Sequence, residues 1–494
     1  MSKNNLLKIF ILTFLTTLFF VNLLSSIWAI VLALFFFFLL FVYYTYFQNR
    51  LSTIICLLWI VLATTISCFH TYIYETKSNY VKDLTNWFNS ENIIELSIER
   101  KYSQTDSSTT YSAKLLTYNW HIIDKNVKFL YSLWWEVDLD YWQILSSYWV
   151  FSDFYNFSDD FDYINFMMSK WYLFRFYWFN YDYIWKKDLS LIRSYSESIR
   201  NLFIDTIKNI YPKQEAYLLS WILIWARESF SKEFETAYID SWLMHFMAVS
   251  WYNVTIIILF LSWMFIFLPR NLKLLLIPFI VFVFWFLVWD TPSVTRACIM
   301  WILWFFIIEG WRRVDFLTLI LLTGFLMSFF NPFSISYDVS FHLSFLAVLS
   351  ILYLYPIIYD KLYFLSSYKF LRESIAISFS AMIFTLPISI VFFWQFSVVW
   401  FISNIFVALL IPFSMLYWFI WVVSEYVWIF SWYFNYVSFL FLKSINSIAY
   451  FFSGLSFSSV NVNVYWFKNV FLLCYYLLLF IIIYKLKKHP KVFN

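Results

Sequence analysis

The chain alternates between long apolar blocks and a single polar island. Blocks at 6–24, 26–47 and 51–73 open it, each near the roughly 17–25 residues that a helix needs to cross a hydrocarbon core. Residues 76–185 hold no such block. Within them, 92–102, 111–119 and 127–133 alternate apolar and polar side chains, the two-residue period of half-buried strands, and turn-forming clusters such as 104–108 separate them. A small β-barrel or sandwich is predicted there. Residues 186–212 change to a helical period, with Leu189, Ile192, Ile199, Leu202, Phe203 and Ile210 on one side. That stripe is expected to lie on the membrane surface or against the bundle. After a short apolar stretch at 216–226, further spans are predicted at 243–268, 274–289, 296–309, 315–330, 338–359, 373–394, 398–423, 425–442 and 466–485. The span at 296–309 is too short to cross alone unless its flanks join it or it sits inside the bundle.

Composition agrees with the pattern. The chain is 62% apolar and 26% aromatic, with 13% charged residues against a usual share of about 25%. These values predict a polytopic α-helical membrane protein of about twelve transmembrane helices. The net charge of +4 says little about partners. Cys56, Cys68, Cys298 and Cys474 all lie in apolar blocks, so no disulfide framework or CxxC metal site is available. His70, His121, His245, His342 and His489 form no HExxH motif or close pair. No cofactor is expected, although a metal site assembled across helices stays open. Lys3 and Lys8 precede the first block, which runs into the second without a small-residue cleavage site, as in an uncleaved anchor.

Basic residues in short loops set the expected orientation. The N-terminus is placed in the cytoplasm, Arg50 returns inside after two crossings, and the third crossing delivers 76–240 to the outer face. Inside loops then receive Arg270 and Lys273, Arg312 and Arg313, and Lys361, Lys369 and Arg372, followed by the basic tail 485–491. Arg296 and Lys443 are the exceptions. This parity predicts a multi-pass protein of the plasma (inner) membrane with both termini cytoplasmic. The expected divisions are three helices at 1–75, an exported β-rich domain at 76–185, an amphipathic connector at 186–240, a helical bundle at 241–485 and a tail at 486–494.

One compositional feature stands apart: 3 Gly and 28 Trp in 494 residues, where glycine alone normally supplies about 7%. Close helix approach in membranes favours small residues. The expectation is that many of these tryptophans are UGA codons that the source organism reads as glycine, with 221, 225, 242 and 251 the sites to inspect. With glycine at Trp242 and Trp251, residues 242–251 become GLMHFMAVSG.

In that form, four stretches in order resemble the ComEC-type competence proteins. They are Trp221-Ile-Leu-Ile-Trp225 with Trp242–Trp251, similar to GLLLG…GLxHLLAVSGLH; Pro292–Met300, similar to PSxxRAxxM; Asn331-Pro-Phe with Phe341–Val348, similar to NPxxLxxxGFQLSFLAV; and Thr385-Leu-Pro387 with Phe396-Ser397 and Asn404…Ile411-Pro412, similar to a Pro…FG-S…N-P run. Residues 161–171 resemble the FDYxxYLxxxG element that ends the family's N-terminal soluble domain. The resemblance implies an OB-like fold for the polar island and a DNA-uptake channel for the whole. It also implies single-stranded DNA and membrane lipid as partners, with a separate DNA receptor, nuclease and cytoplasmic ATPase. A homo-oligomer is an open option. Two positions depart from the pattern: Asn253 stands where the family has histidine, and His342 where it has glutamine. The metallo-β-lactamase-like domain of some relatives has no counterpart, because the chain lacks HxHxDH.

The candidate channel or structural motif residues are His245, Ser250, Trp251, Asn253, Pro292, Arg296, His342, Ser344, Pro387, Asn404 and Pro412. Polar groups within apolar segments face a cavity or a partner. His245, Ser250 and Arg296 therefore either line a polar path or bond across helices, and Arg296 has the further option of snorkelling to the interface. Pro292, Pro332, Pro387 and Pro412 mark either broken helices beside a pore or ordinary kinks. The island holds nine Lys and Arg against fourteen Asp and Glu, a net −5, which opposes backbone binding to DNA. Its aromatics would still permit base stacking. The sequence thus predicts an inner-membrane channel that passes one strand of incoming DNA into the cytoplasm. It is expected not to be an enzyme, with no catalytic, cofactor or metal residues and no P-loop. The alternatives are a membrane-embedded enzyme or a small-solute transporter using the His245/Ser250 segment.

Overall fold

The structure, a computed structural model, describes residues 3–23, 50–85, 93–105, 108–118, 121–123, 127–133, 143–148, 150–152, 163–178, 181–186, 191–224, 232–244, 251–288, 292–309, 315–365, 369–393, 395–427, 431–455, 458–461 and 468–488. The predicted span at 26–47 lies outside them. The chain divides into two compact units, one of Met1–Ser194 with Leu321–Asp338, the other of Tyr195–Ile320 with Val339–Asn494.

The first unit opens with helices α1 (Lys3–Leu23) and α2 (Arg50–Thr85), which pack along each other. Phe14, Trp59 and Phe325 form a cluster of edge-on rings, with centroids 4.9–5.6 Å apart, the geometry that the ring quadrupole favours. Helix α2 runs twelve residues past the apolar block predicted to end at 73. Tyr74 and Tyr80 on this extension pack against the core of the sheet that follows, so tertiary burial carries the helix beyond its apolar span.

That sheet has eight strands: β1 (Ile93–Thr105), β2 (Ser108–Tyr118), β3 (His121–Ile122), β4 (Lys128–Leu133), β5 (Gln143–Tyr148), β6 (Val150–Ser152), β7 (Tyr172–Trp178) and β8 (Tyr181–Lys186). The three alternating stretches predicted as strands are β1, β2 and β4. Strands β1, β2 and β4 pair antiparallel in sequence order, β5 pairs antiparallel with β1, and β7 lies parallel to β4. Strand β5 also pairs with β8, while β6, one residue further along, pairs with β7. Alternation buries Leu96, Ile98, Tyr111, Ala113, Phe129, Tyr131 and Leu133 in one core. A short helix, α3 (Tyr163–Ser169), precedes β7 and rests on Leu130 and Tyr172. The unit is completed by α10 (Phe316–Phe330), which enters from the second unit, and a turn with the short helix α11 (Ser334–Tyr337).

The second unit is helical: α4 (Leu191–Ile210), α5 (Lys213–Ile224), α6 (Lys232–Asp240), α7 (Trp251–Met264), α8 (Arg270–Val288), α9 (Pro292–Glu309), α12 (Val339–Tyr353), α13 (Tyr355–Lys361), α14 (Lys369–Phe393), α15 (Trp400–Val427), α16 (Ser431–Ser453) and α17 (Lys468–Lys488). Two three-residue strands, β9 (Gln395–Ser397) and β10 (Ser459–Asn461), pair antiparallel. The main core gathers residues of α4–α7, α15 and α16 around Trp418 and Leu442. Among the described residues, Leu371–Phe392 and Trp400–Val422 are long and apolar enough to cross a membrane, and α12 with α13, bent by 49°, makes a third if taken as one span. Several others are apolar but shorter; the 15 residues of α10 rise about 22 Å, short of a core about 30 Å thick. The 296–309 block forms part of α9, which begins at Pro292, and its apolar stretch Val294–Phe305 remains among the shorter ones. Mostly helical among the described residues, with apolar helices, an eight-stranded sheet and a two-stranded one, the chain has the architecture of a membrane protein.

Proline placement explains one interhelical contact. Pro387 lies inside α14 and has no N–H for the carbonyl four residues earlier, that of Ile383. The Tyr475 hydroxyl of α17 donates to this carbonyl at 2.9 Å, and Tyr476 donates to Phe384 O at 2.8 Å. A neighbouring helix thus satisfies the freed group. Tyr475→Phe is expected to lower stability by about 1 kcal/mol in thermal unfolding. In a Pro387→Ala background, where the helix supplies its own donor, the same change should cost less.

Candidate functional site

The sequence motifs meet pairwise. Pro292 is the first residue of α9, where its missing N–H costs nothing, and one turn on stands Arg296. This side chain is 2% exposed. Its terminal nitrogen Nη2 donates to Ser340 O at 2.8 Å and to Ser340 Oγ at 3.2 Å, and the guanidinium carbon lies 6.0 Å from the Phe341 ring. Arg296 is therefore held at the start of α12 rather than extended to an outer surface. It ties the PSVTRA segment to the segment that carries His342 and Ser344, both half-buried on α12.

A second pair joins the turn after α6 to the start of α15. Ser403 Oγ donates to Ser241 O at 2.8 Å. Next to it, Asn404 Oδ1 and Ser397 Oγ are buried without a hydrogen-bond partner among the described residues, so polar capacity is concentrated where the predicted N…P run begins. Pro412 lies within α15. Trp251 is the first residue of α7 and Asn253 lies in its first turn. His245, Ser250 and Trp225 fall outside the described residues.

The turn at 241–243 has a definite geometry. Ser241 N–H reaches Ala237 O at 3.2 Å, Trp242 N–H reaches Ile239 O at 2.9 Å, and Leu243 N–H reaches Tyr238 O at 2.8 Å. These last two are the paired bonds of a Schellman helix end, which places Trp242 at the position usually held by glycine. Its φ is 60°. Leu243 and Tyr238, the residues whose apolar contact accompanies this motif, are both buried in the main core. The other non-glycine residue with positive φ among the described residues is Trp171, at 63°, after α3, with its N–H on Met168 O at 2.9 Å. Both tryptophans stand where the sequence resemblance has glycine. Trp221, the third such position described, is buried in the main core on α5.

Sequence reasoning passed over a buried relay in the same unit. Tyr238 Oη donates to Asn446 Oδ1 at 2.6 Å, and Asn446 Nδ2 lies 3.4 Å from Glu215 Oε1. Burial, reinforced by Tyr450 and Glu215, holds the Tyr238 phenol well above its ordinary pKa, so it remains a neutral donor. The sequence offered little signal for it, because Asn446 stands among Lys443, Ser444 and Ser447, beyond the apolar span predicted to end at 442.

Residues 222–489, 268 of 494, match the family model for Competence protein. An uncharacterized protein of Aquifex aeolicus (strain VF5) is 33% identical over 173 residues, which cover 34% of this chain and 40% of that relative. The chain thus spans less than half the length of the curated relative it matches. No solved structure matches it. With more than half its length matched by the family model, this chain belongs to the ComEC-type competence protein family.

Proposed function

We propose that the chain is the inner-membrane channel through which one strand of incoming DNA passes into the cytoplasm. About twelve crossings carry it through the bilayer, with both termini inside. The observation that carries this reading is the family match over 222–489, the region whose buried polar contacts, Arg296 with Ser340 and Ser403 with Ser241, join the family's own motifs.

The sheet at 93–186 is, in this reading, an OB-like barrel on the outer face. A three-strand meander, a parallel β4–β7 pair, an antiparallel β1–β5 pair and the β6–β7 pairing support it, because together they give the connectivity of a five-stranded Greek-key barrel. With a net charge of −5 over 76–185, the sheet serves better as a scaffold beside the path than as a platform for phosphates. The chain performs no covalent chemistry; strand degradation and the pulling force come from a separate nuclease and ATPase.

The test is uptake of labelled DNA in cells lacking the gene. Internalised single strand should disappear while surface-bound DNA persists, and the intact gene should restore it. Unchanged uptake would remove the channel reading.

A further inference from the structure

Two segments 162–168 residues apart in sequence, both prominent as motifs and neither absorbed by the channel reading, meet inside the first unit. Asn331 Nδ2 donates to Ser169 O at 2.8 Å. Lys170 Nζ and Asp338 Oδ2 form an ion pair at 3.1 Å, with side-chain exposures of 19% and 3%. The segment between Asn331 and Asp338 is pinned from its other side by α1. Asn22 Nδ2 donates to Pro332 O at 2.6 Å, Ser336 Oγ donates to Phe19 O at 3.2 Å, and the Tyr337 hydroxyl donates to Asn22 O. Helix α2 joins through Ser67, which donates to Asn22 Oδ1, and through Tyr74, whose hydroxyl donates to Tyr172 O at 3.2 Å.

We infer that the 331–338 turn is a brace that fixes the sheet on the N-terminal helices, with Asn331 and Asp338 as its positioning residues. Helix α2 itself meets the sheet through the packing of Tyr74 and Tyr80 on its core and the Tyr74–Tyr172 bond. The turn adds two polar attachments at the α3–β7 junction, Asn331 to Ser169 and Asp338 to Lys170. Separating a buried carboxylate from its lysine removes the counter-ion while water stays excluded, which is costly. The pair therefore sets one position of the sheet. Trp171 also packs on Phe333 of the turn, but the polar contacts join 169 and 170 to 331 and 338 and stand whatever residue occupies 171.

The two ends of the ion pair predict an asymmetry. Lys170→Gln takes the counter-ion from a carboxylate that is 3% exposed, whereas Asp338→Asn takes it from a lysine that is 19% exposed and has a route to water. Amide exchange over Tyr172–Trp178, followed by mass spectrometry on the full chain in lipid nanodiscs, should quicken roughly tenfold or more in Lys170→Gln and less in Asp338→Asn. The reversed pair, Lys170→Asp with Asp338→Lys, should recover part of the protection. A second measurement stands if Lys170→Gln fails to accumulate. With the native cysteines replaced by alanine, Ser169→Cys with Asn331→Cys should form a disulfide on mild oxidation in membranes. Unchanged exchange in both single variants, or no disulfide in a correctly inserted chain, would overturn the brace. Loss of DNA uptake is not among these readouts, so failure here is distinct from failure of the channel reading.

Discussion

Trp242→Gly is expected to stabilise the protein by about 1–2 kcal/mol, the cost of holding an L-residue in the left-handed region. The Schellman bonds from Trp242 and Leu243 require positive φ at 242, and a Cβ there meets the following carbonyl whatever side chain it bears. Trp242→Ala separates this cause from relief of crowding by the indole: alanine keeps the Cβ, so the gain should be absent or small. If alanine and glycine stabilise equally, the backbone argument fails. Thermal unfolding of the purified chain in detergent reads the difference. The same physics bears on recoding. Both described non-glycine residues with positive φ are tryptophans at helix ends, in a chain with 28 Trp and 3 Gly. Peptide mass spectrometry of the chain isolated from its source cells is expected to find glycine at 171 and 242. Tryptophan at both would end that explanation of the composition.

Arg296→Met should destabilise the helical unit by roughly 1.5–3 kcal/mol, the worth of a hydrogen bond from a charged donor, and should abolish or sharply lower DNA uptake if α9 and α12 flank the path. The bonds run to a main-chain carbonyl and to a hydroxyl, so substitutions at Ser340 report on them separately. Ser340→Ala removes only the 3.2 Å bond and should cost about 1 kcal/mol or less. Arg296→Lys keeps the charge, and because one nitrogen, Nη2, makes both bonds, an ammonium reaching the same place retains part of them; its cost should fall between the two. A full Arg296→Met effect on uptake with unaltered thermal stability would assign Arg296 to the path itself. Loss of both in proportion would assign it to holding the helices.

Much of the fold was legible along the chain. Period-two alternation at 92–102, 111–119 and 127–133 became β1, β2 and β4, because alternation is what one buried face of a sheet demands. The amphipathic run at 186–212 became α4, and most apolar blocks became helices of similar bounds. The strand order was not legible. Parallel pairing of β4 with β7 joins segments about 40 residues apart, and no local pattern encodes which edge meets which. The site was only half legible: apolar context singled out Arg296 as a costly polar group but not its partner Ser340, and the resemblance pointed to Asn404 but not to the neighbouring Ser403, which bonds Ser241.

By itself, the sequence determined which segments are apolar, which alternate, and where a residue type conflicts with its neighbours, because those are properties of adjacent side chains. It therefore determined the membrane class, the small sheet and the anomaly at tryptophan. Tertiary structure alone decided that α2 continues to Thr85 under the sheet, that Tyr475 serves the carbonyl freed by Pro387, and that Lys170 meets Asp338. Each of these depends on a burial or a bond between chain segments that sequence separates widely, and desolvation makes such contacts all-or-none only once the segments are packed together.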